Sequence, residues 1–260
     1  MTSARDTRDT RDPLSTRKSA SGGMRFAVLA AIGLLTAVGL QMRSSAAAEA
    51  AVKIPPLAEE AAAVATSGPQ TVVFAGGCFW GVQGVFQHTR GVLNAVSGYT
   101  GGSKTTAHYE LIGSGLTGHA EAVQITFDPK QVSYAQLLQI YFSVVHDPTQ
   151  LNRQGPDRGS QYRSAVFYTD VSQKQATERY ITQLDAAKAF PAKIVTQVAP
   201  LTAFYAAEDH HQDYATLHPD SGYIATFDLP KIANLKSLYA NLYRAEPVLV
   251  AGNAAVAKRN

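Results

Sequence analysis

Apolar positions between residues 71 and 247 recur in two rhythms. Thr71–Ala75 is a short β-branched apolar run closed by Gly76-Gly77, the pattern of a buried strand. From Cys78 to Gln87 the rhythm changes, and Phe79, Val82, Val85 and Phe86 recur at helical spacing. The order strand, Gly-Gly turn, helix places Cys78 at a helix start. A second strand is predicted at Val92–Gly98, followed by a turn-rich loop over Gly98–Gly102. Apolar residues alternate through His119–Phe127, a strand that ends at Asp128-Pro129. Ser133 reads as the cap of a helix to Val145, with Leu137, Leu138, Tyr141 and Phe142 as its apolar stripe. His146–Gly159 is a long polar loop. Strands are predicted at Tyr162–Tyr168 and Ile194–Pro200, and helices at Ser172–Ala189, Ala203–Tyr214 and Ile232–Leu242. Strands and helices mix without strict βαβα repetition. The expected class is therefore α+β, a two-layer domain with a mixed β-sheet packed against helices.

The N-terminal quarter has a different pattern. Residues 26–40 are apolar and uncharged, too short for a membrane span of about 20 residues. The length suits a signal-peptide core, and Ala46-Ala47-Ala48 and Ala48-Glu49-Ala50 supply small-residue cleavage patterns. Residues 1–48 are thus expected to be an N-terminal extension and signal peptide, with export to the periplasm. The alternative is a membrane anchor formed by residues 26–40. Met24-Arg25 directly precedes the apolar run, so translation from Met24 is a further expectation. Residues 49–70, rich in Ala and Pro, read as a linker, 71–247 as the folded domain and 248–260 as a flexible tail. The folded domain is not expected to span a membrane, and it is expected to be a monomer.

Charge sharpens this division. Of 23 Lys+Arg and 20 Asp+Glu, residues 1–48 hold seven Lys/Arg against three Asp/Glu, while residues 49–260 hold 16 against 17. The small positive balance of the chain belongs to the export segment. The near-neutral remainder argues against nucleic acid as a partner.

The chain has one cysteine, which excludes an internal disulfide and any CxxC site. A lone cysteine is often a buried filler. Its place after Gly76-Gly77 at a strand–helix junction points instead to a reactive thiol, because a helix N-terminus favours the thiolate. Phe79 and the sole tryptophan, Trp80, set large apolar surface beside the sulfur.

Four motifs follow in order: Gly76-Gly77-Cys78-Phe79-Trp80-Gly81, Gly98-Tyr99-Thr100-Gly101-Gly102, Gly118-His119-Ala120-Glu121-Ala122 and Gly159-Ser160-Gln161-Tyr162-Arg163-Ser164. With Phe127-Asp128-Pro129, His146-Asp147-Pro148 and the run Ala207 to Gln212, they resemble the A-type peptide methionine sulfoxide reductases over roughly residues 71–224. The resemblance implies that family's ferredoxin-like core and its activity, reduction of methionine-S-sulfoxide, free or in proteins, to methionine. It implies Cys78 as the nucleophile that becomes a sulfenic acid, and Glu121 as the acid that protonates the sulfoxide oxygen. A carboxyl does this only where desolvation raises its pKa. Tyr109 and Tyr162 match the two hydroxyl donors to that oxygen, and Asp157 a polar residue beside the site. Phe79 and Trp80 match the apolar pocket for the S-methyl group. No bound cofactor and no metal are implied.

Members of this family often carry a second cysteine after a Gly-Tyr pair. Here Gly222-Tyr223 precedes Ile224. The sulfenic acid must then be reduced from outside, by a thioredoxin-like protein, a glutaredoxin or a small thiol.

Other chemistries draw on the same residues. Cys78, His119 and Glu121 could serve a Cys–His hydrolase or acyl transferase. His108, His119 and Glu121 could approach a metal, although no HExxH spacing or Cys pair supports it. A non-catalytic binder of oxidised methionine is the remaining alternative.

Overall fold

The structure is a computed structural model that describes residues 50–58 and 68–250. The expected signal peptide, the alternative anchor at 26–40, residues 59–67 of the expected linker and residues 251–260 of the expected tail lie outside the described residues.

The order of elements follows the two rhythms of the sequence. Strand β1 (Gln70–Gly76) leads through Gly77-Cys78 into helix α1 (Phe79–Gln87), and β2 (Val92–Thr100) follows. After the short helix α2 (Tyr109–Ile112) come β3 (Ala120–Phe127) and α3 (Tyr134–Ile140). A two-stranded hairpin, β4 (Arg153–Gln154) and β5 (Asp157–Arg158), interrupts the long loop before β6 (Ser164–Tyr168). The chain then runs through α4 (Val171–Ala186), β7 (Gln197–Pro200), β8 (Phe204–Ala206), α5 (Tyr214–Leu217) and α6 (Leu229–Leu238).

Six strands form one sheet in the order β7-β6-β1-β3-β2-β8. Only β6 and β7 pair in parallel, with Ala165 opposite Gln197; the other neighbours are antiparallel. The expected α+β class with a mixed sheet packed against helices is the class observed. Alternation splits the sheet residues between two faces. Val72, Phe74, Val123 and Ile125 enter the main core with Val82, Val85 and Phe86 of α1 and Leu137 and Leu138 of α3. Val73, Ala75, Ala120, Ala122, Ala165 and Phe167 form a smaller apolar layer. By the same alternation Glu121 shares the main-core face, and this sets it opposite α1.

Several boundaries differ from the sequence reading. Helix α3 has the expected cap: Ser133 and Gln136 exchange side-chain and backbone bonds as a capping box. It ends at Ile140, and a wider π-type turn spans Tyr141–Val145. Tyr141 on that turn is fully buried, and its hydroxyl donates to the Ala75 carbonyl at 2.8 Å. Tyr162 does not begin a strand; it closes a 3-10 turn, Ser160–Tyr162, ahead of β6. The helix expected at Ala203–Tyr214 is absent. Phe204–Ala206 pairs with the outer edge of β2, Gly98 facing Ala206, and a 3-10 turn follows at Asp209–His211. Covering a sheet edge satisfies backbone groups that a local helix would leave open.

Part of the stretch expected to be a linker is held to the domain. The Val52 N–H donates to the Ser143 carbonyl at 2.9 Å, and the Ser143 hydroxyl returns a bond to the Val52 carbonyl at 2.6 Å. Tyr180 and Gln183 of α4 donate to the carbonyls of Pro55 and Pro56 at 2.6 and 2.8 Å. Ile54 is buried in the main core. Among the described residues no helix is long and apolar enough to cross a membrane.

Candidate active site

Cys78 stands at the N-cap of α1, and only 8% of its surface is exposed. The tight approach at the glycine pair is made by the protein itself. Gly77 adopts φ +90, and a Cβ there would meet Gln154 side-chain carbons at 2.6 Å. A side chain at Gly77 would push β4 away from the thiol.

The helix N-terminus does favour the Cys78 anion, through the Trp80 backbone N–H. It does not prevail. Burial, followed by the negative charges of Asp228 and Glu121, pushes the thiol well above its ordinary pKa, against the pull of Lys231. The expected low-pKa thiol is therefore not what the free site holds: its thiol is mainly protonated.

Glu121 comes from the middle of the sheet, opposite Tyr99 in register, and is 3% exposed. Its Oε2 accepts from the Phe79 N–H at 3.1 Å. Burial pushes its pKa up to about 8, with Asp157 and Asp228 adding to the rise, while the Phe79 bond pulls down. At neutral pH this carboxyl carries a proton it can give away.

Two tyrosines share this surrounding. Tyr109 begins α2, and its backbone N–H donates to Glu208 Oε1 at 3.1 Å, while the Tyr99 hydroxyl donates to Glu208 Oε2 at 2.8 Å. Glu208 thus fixes where Tyr109 stands, with its side chain partly open to solvent. The Tyr162 hydroxyl lies in reach of the charges of Glu121, Asp157 and Cys78, and Tyr109 in reach of the same three. Burial first and these charges next raise both phenols, so each stays an O–H donor. Asp157, on β5, accepts a short hydrogen bond from the Tyr223 hydroxyl.

The apolar wall has more depth than the sequence suggests. Phe79 is buried and packs in tilted contact with Tyr99, Trp80 and His211 at 5.8, 6.3 and 5.4 Å between centroids. It backs the site, whereas Trp80 is part-exposed and stacks on Tyr214 at 4.0 Å and 14°. Tyr223 meets Trp80 edge-on at 6.2 Å.

His119 is not placed as a base. The Gly102 N–H donates to its Nδ1 at 3.3 Å, which leaves the proton on Nε2, 2.9 Å from the Ser103 carbonyl. Both nitrogens hold the glycine-rich loop, and the hydrolase alternative loses its base. His146 is likewise structural: buried, neutral, and bonded to the Tyr141 carbonyl and Ser164 hydroxyl at 3.1 and 2.6 Å.

Sequence reasoning missed Tyr214, Asp228 and Lys231, and noticed Tyr223 only as the neighbour of an absent cysteine. One cleft beside the sulfur is lined by Cys78, Asp157, Tyr223, Phe227 and Lys231. The signal for the last was Asp228-Leu229-Pro230-Lys231, a helix start with proline in its first turn.

Comparison with known proteins agrees with this geometry. A family model described as peptide methionine sulfoxide reductase matches residues 70–241. The chain is 60% identical over 186 residues to peptide methionine sulfoxide reductase MsrA 2 of Mesorhizobium japonicum, covering 72% of this chain and 95% of that one. It is 48% identical over 179 residues to the MsrA 2 of Synechocystis, covering 69% and 84%. Among solved structures it is similar to methionine sulfoxide reductase A of Corynebacterium diphtheriae, with 32% identity, TM-score 0.53 and coverage of 67% and 87%. Reduced Mxr1 of Saccharomyces cerevisiae gives 28% identity, TM-score 0.56 and coverage of 61% and 91%.

Proposed function

The chain belongs to the peptide methionine sulfoxide reductase family, and from that membership we propose the following course for its reaction. The protein is an oxidoreductase that reduces methionine sulfoxide through a cysteine. Cys78 releases its thiol proton to water, and the resulting thiolate bonds to the electrophilic sulfoxide sulfur while Glu121 gives its proton to the oxygen. Methionine leaves as the hydroxyl passes to the Cys78 sulfur, which becomes a sulfenic acid. Tyr109 and Tyr162 donate hydrogen bonds to the oxygen as its charge changes. Asp157 acts with Tyr223 to hold the water-facing side of the cleft. Phe79 and Trp80 take the S-methyl group, and the S epimer is chosen because its mirror arrangement sets oxygen against rings and leaves the hydroxyls unpaired.

The observation that carries this reading is the buried Glu121 carboxyl, kept protonated toward pH 8 beside the one thiol of the chain.

The return half-reaction uses an external thiol. Its thiolate attacks the sulfenic sulfur and hydroxide departs as water. A second thiol then attacks the mixed disulfide, freeing the Cys78 thiolate and an oxidised disulfide. A thioredoxin-like protein fits the role of this external thiol, while the enzyme itself repairs free or protein-bound sulfoxide after export. Residues 26–50 support the exported location, which fractionation of cells followed by N-terminal sequencing tests.

The reaction itself is tested by incubation with each methionine sulfoxide epimer and a sulfenic-acid trap, without reductant. The expected result is one equivalent of methionine from the S epimer and a mass adduct on Cys78. Adduct formation independent of sulfoxide, or equal turnover of both epimers, overturns it.

A further inference from the structure

Asp228 and Lys231 form a buried ion pair against the first turn of α1. Lys231 Nζ lies 3.3 Å from Asp228 Oδ1, with Asp228 0% exposed and Lys231 7%. Asp228 Oδ2 accepts no hydrogen bond from the described residues. The pair is pressed onto the backbone of Gly81: a Cβ there would stand 2.1 Å from Asp228 Oδ1 and 3.1 Å from Lys231 Nζ. Gly81 is three residues beyond Cys78, and Lys231 and Cys78 line the same cleft. Burying two charges forfeits their hydration, which offsets much of their attraction, so such a pair adds little to stability by itself. Its place beside the thiol gives it a different use.

We propose that Lys231, held in place by Asp228, is a positioning residue whose ammonium offsets the negative charge of Cys78 across their shared cleft. This rests on Cys78 as the reacting sulfur and otherwise stands apart from the substrate reading. The groups that face Cys78 are Glu121 from β3, Asp228 and Lys231 from the chain entering α6, and the hydroxyls of Tyr109, Tyr162 and Tyr223. Those that face Lys231 are Asp228, Asp157 from β5 and, from the loop after the π-type turn, His146. Carboxylates dominate this surrounding, and Lys231 is the cation set among them. The charge matters twice in the cycle. It favours the thiolate that attacks the sulfoxide, and it favours Cys78 as the leaving thiolate when a second external thiol splits the mixed disulfide.

The test is the pH profile of Cys78 alkylation by iodoacetamide in the whole protein. Cys78 is the sole cysteine, so the rate reads that thiol alone. Lys231→Met is expected to move the profile to higher pH, slowing alkylation on the acid limb about tenfold for each unit of displacement. Asp228→Asn is expected to move it to lower pH. A purely structural pair would not give opposite displacements, so profiles that stay put or move together overturn the proposal. If Lys231→Met fails to fold by circular dichroism, Lys231→Gln and Lys231→Arg decide: a profile moved to higher pH by glutamine and kept by arginine supports the proposal, and the same profile in both overturns it. Alkylation needs no sulfoxide, so a failure here is distinct from a failure to release methionine.

Discussion

The Phe79 N–H donates to Glu121 Oε2 at 3.1 Å, tying the acid on β3 to the first turn of the helix that presents Cys78. The carboxyl is therefore anchored on the backbone of the very helix that presents the thiol. Glu121→Gln keeps the shape and an oxygen to accept from Phe79, and removes the proton. Methionine release in a single turnover should fall about 10²–10⁴-fold. Alkylation of Cys78 should continue. The wild-type proton donor is lost as pH rises through about 8, so this limb of the activity profile declines above that point. Near-normal release by the Glu121→Gln variant would remove Glu121 from the reaction.

The same group shapes stability. Its folded pKa of about 8 stands above the ordinary 4.5, so the folded state binds more protons between these values, and stability falls as pH rises across them. His146 acts in the other direction. Burial lowers it from 6.5 to about 3, the unfolded chain binds more protons in that window, and stability is lost as pH falls through it. Because the two windows overlap between pH 4.5 and 6.5, where the slopes offset each other, urea midpoints measured from pH 3 to 8 should fall at both ends. Glu121→Gln should flatten the alkaline one and His146→Gln the acid one.

Gly81 tests how closely the Asp228–Lys231 pair is packed. An added methyl would meet Asp228 Oδ1 at 2.1 Å and Cγ at 2.7 Å, both in the interior. Gly81→Ala should cost about 1–3 kcal/mol as overpacking and should lower turnover. Gly113→Ala is the control, since its nearest atoms lie at 3.8 Å or beyond. Equal thermal midpoints for the two variants would contradict the close packing.

Much of this site was legible because its chemistry is local in sequence. The rhythm around Cys78 pointed to a strand, a turn and a helix, and the alternation in His119–Phe127 put Glu121 on a strand within an apolar run. Glu121 could not be told from an exposed strand residue by alternation alone, because both sheet faces are covered here. The helix expected at Ala203–Tyr214 failed for a tertiary reason: the free edge of β2, over 100 residues earlier, takes Phe204–Ala206 as a strand. The thiol pKa failed likewise. Its helix position was readable, but the burial that chiefly raises it was not, nor was the approach of Asp228 from 150 residues downstream. Lys231 carried only the weak mark of a proline-led helix.

Residues 50–58 hold the outer side of the domain, and two variants separate burial from hydrogen bonding there. Ile54 is 4% exposed in the main core, and Ile54→Ala should lower stability by about 2–4 kcal/mol. Tyr180→Phe deletes the 2.6 Å bond to the Pro55 carbonyl, and should cost about 1 kcal/mol. Both sites lie on α4 and the segment it holds, apart from the Cys78 cleft, so methionine release at 25 °C should stay near wild type while thermal midpoints drop. A chain that begins at residue 68 should lose more than either variant, because it also gives up the paired bonds between Val52 and Ser143. Thermal unfolding that is unchanged on removing residues 50–58 would show that the segment does not contribute to the fold in solution.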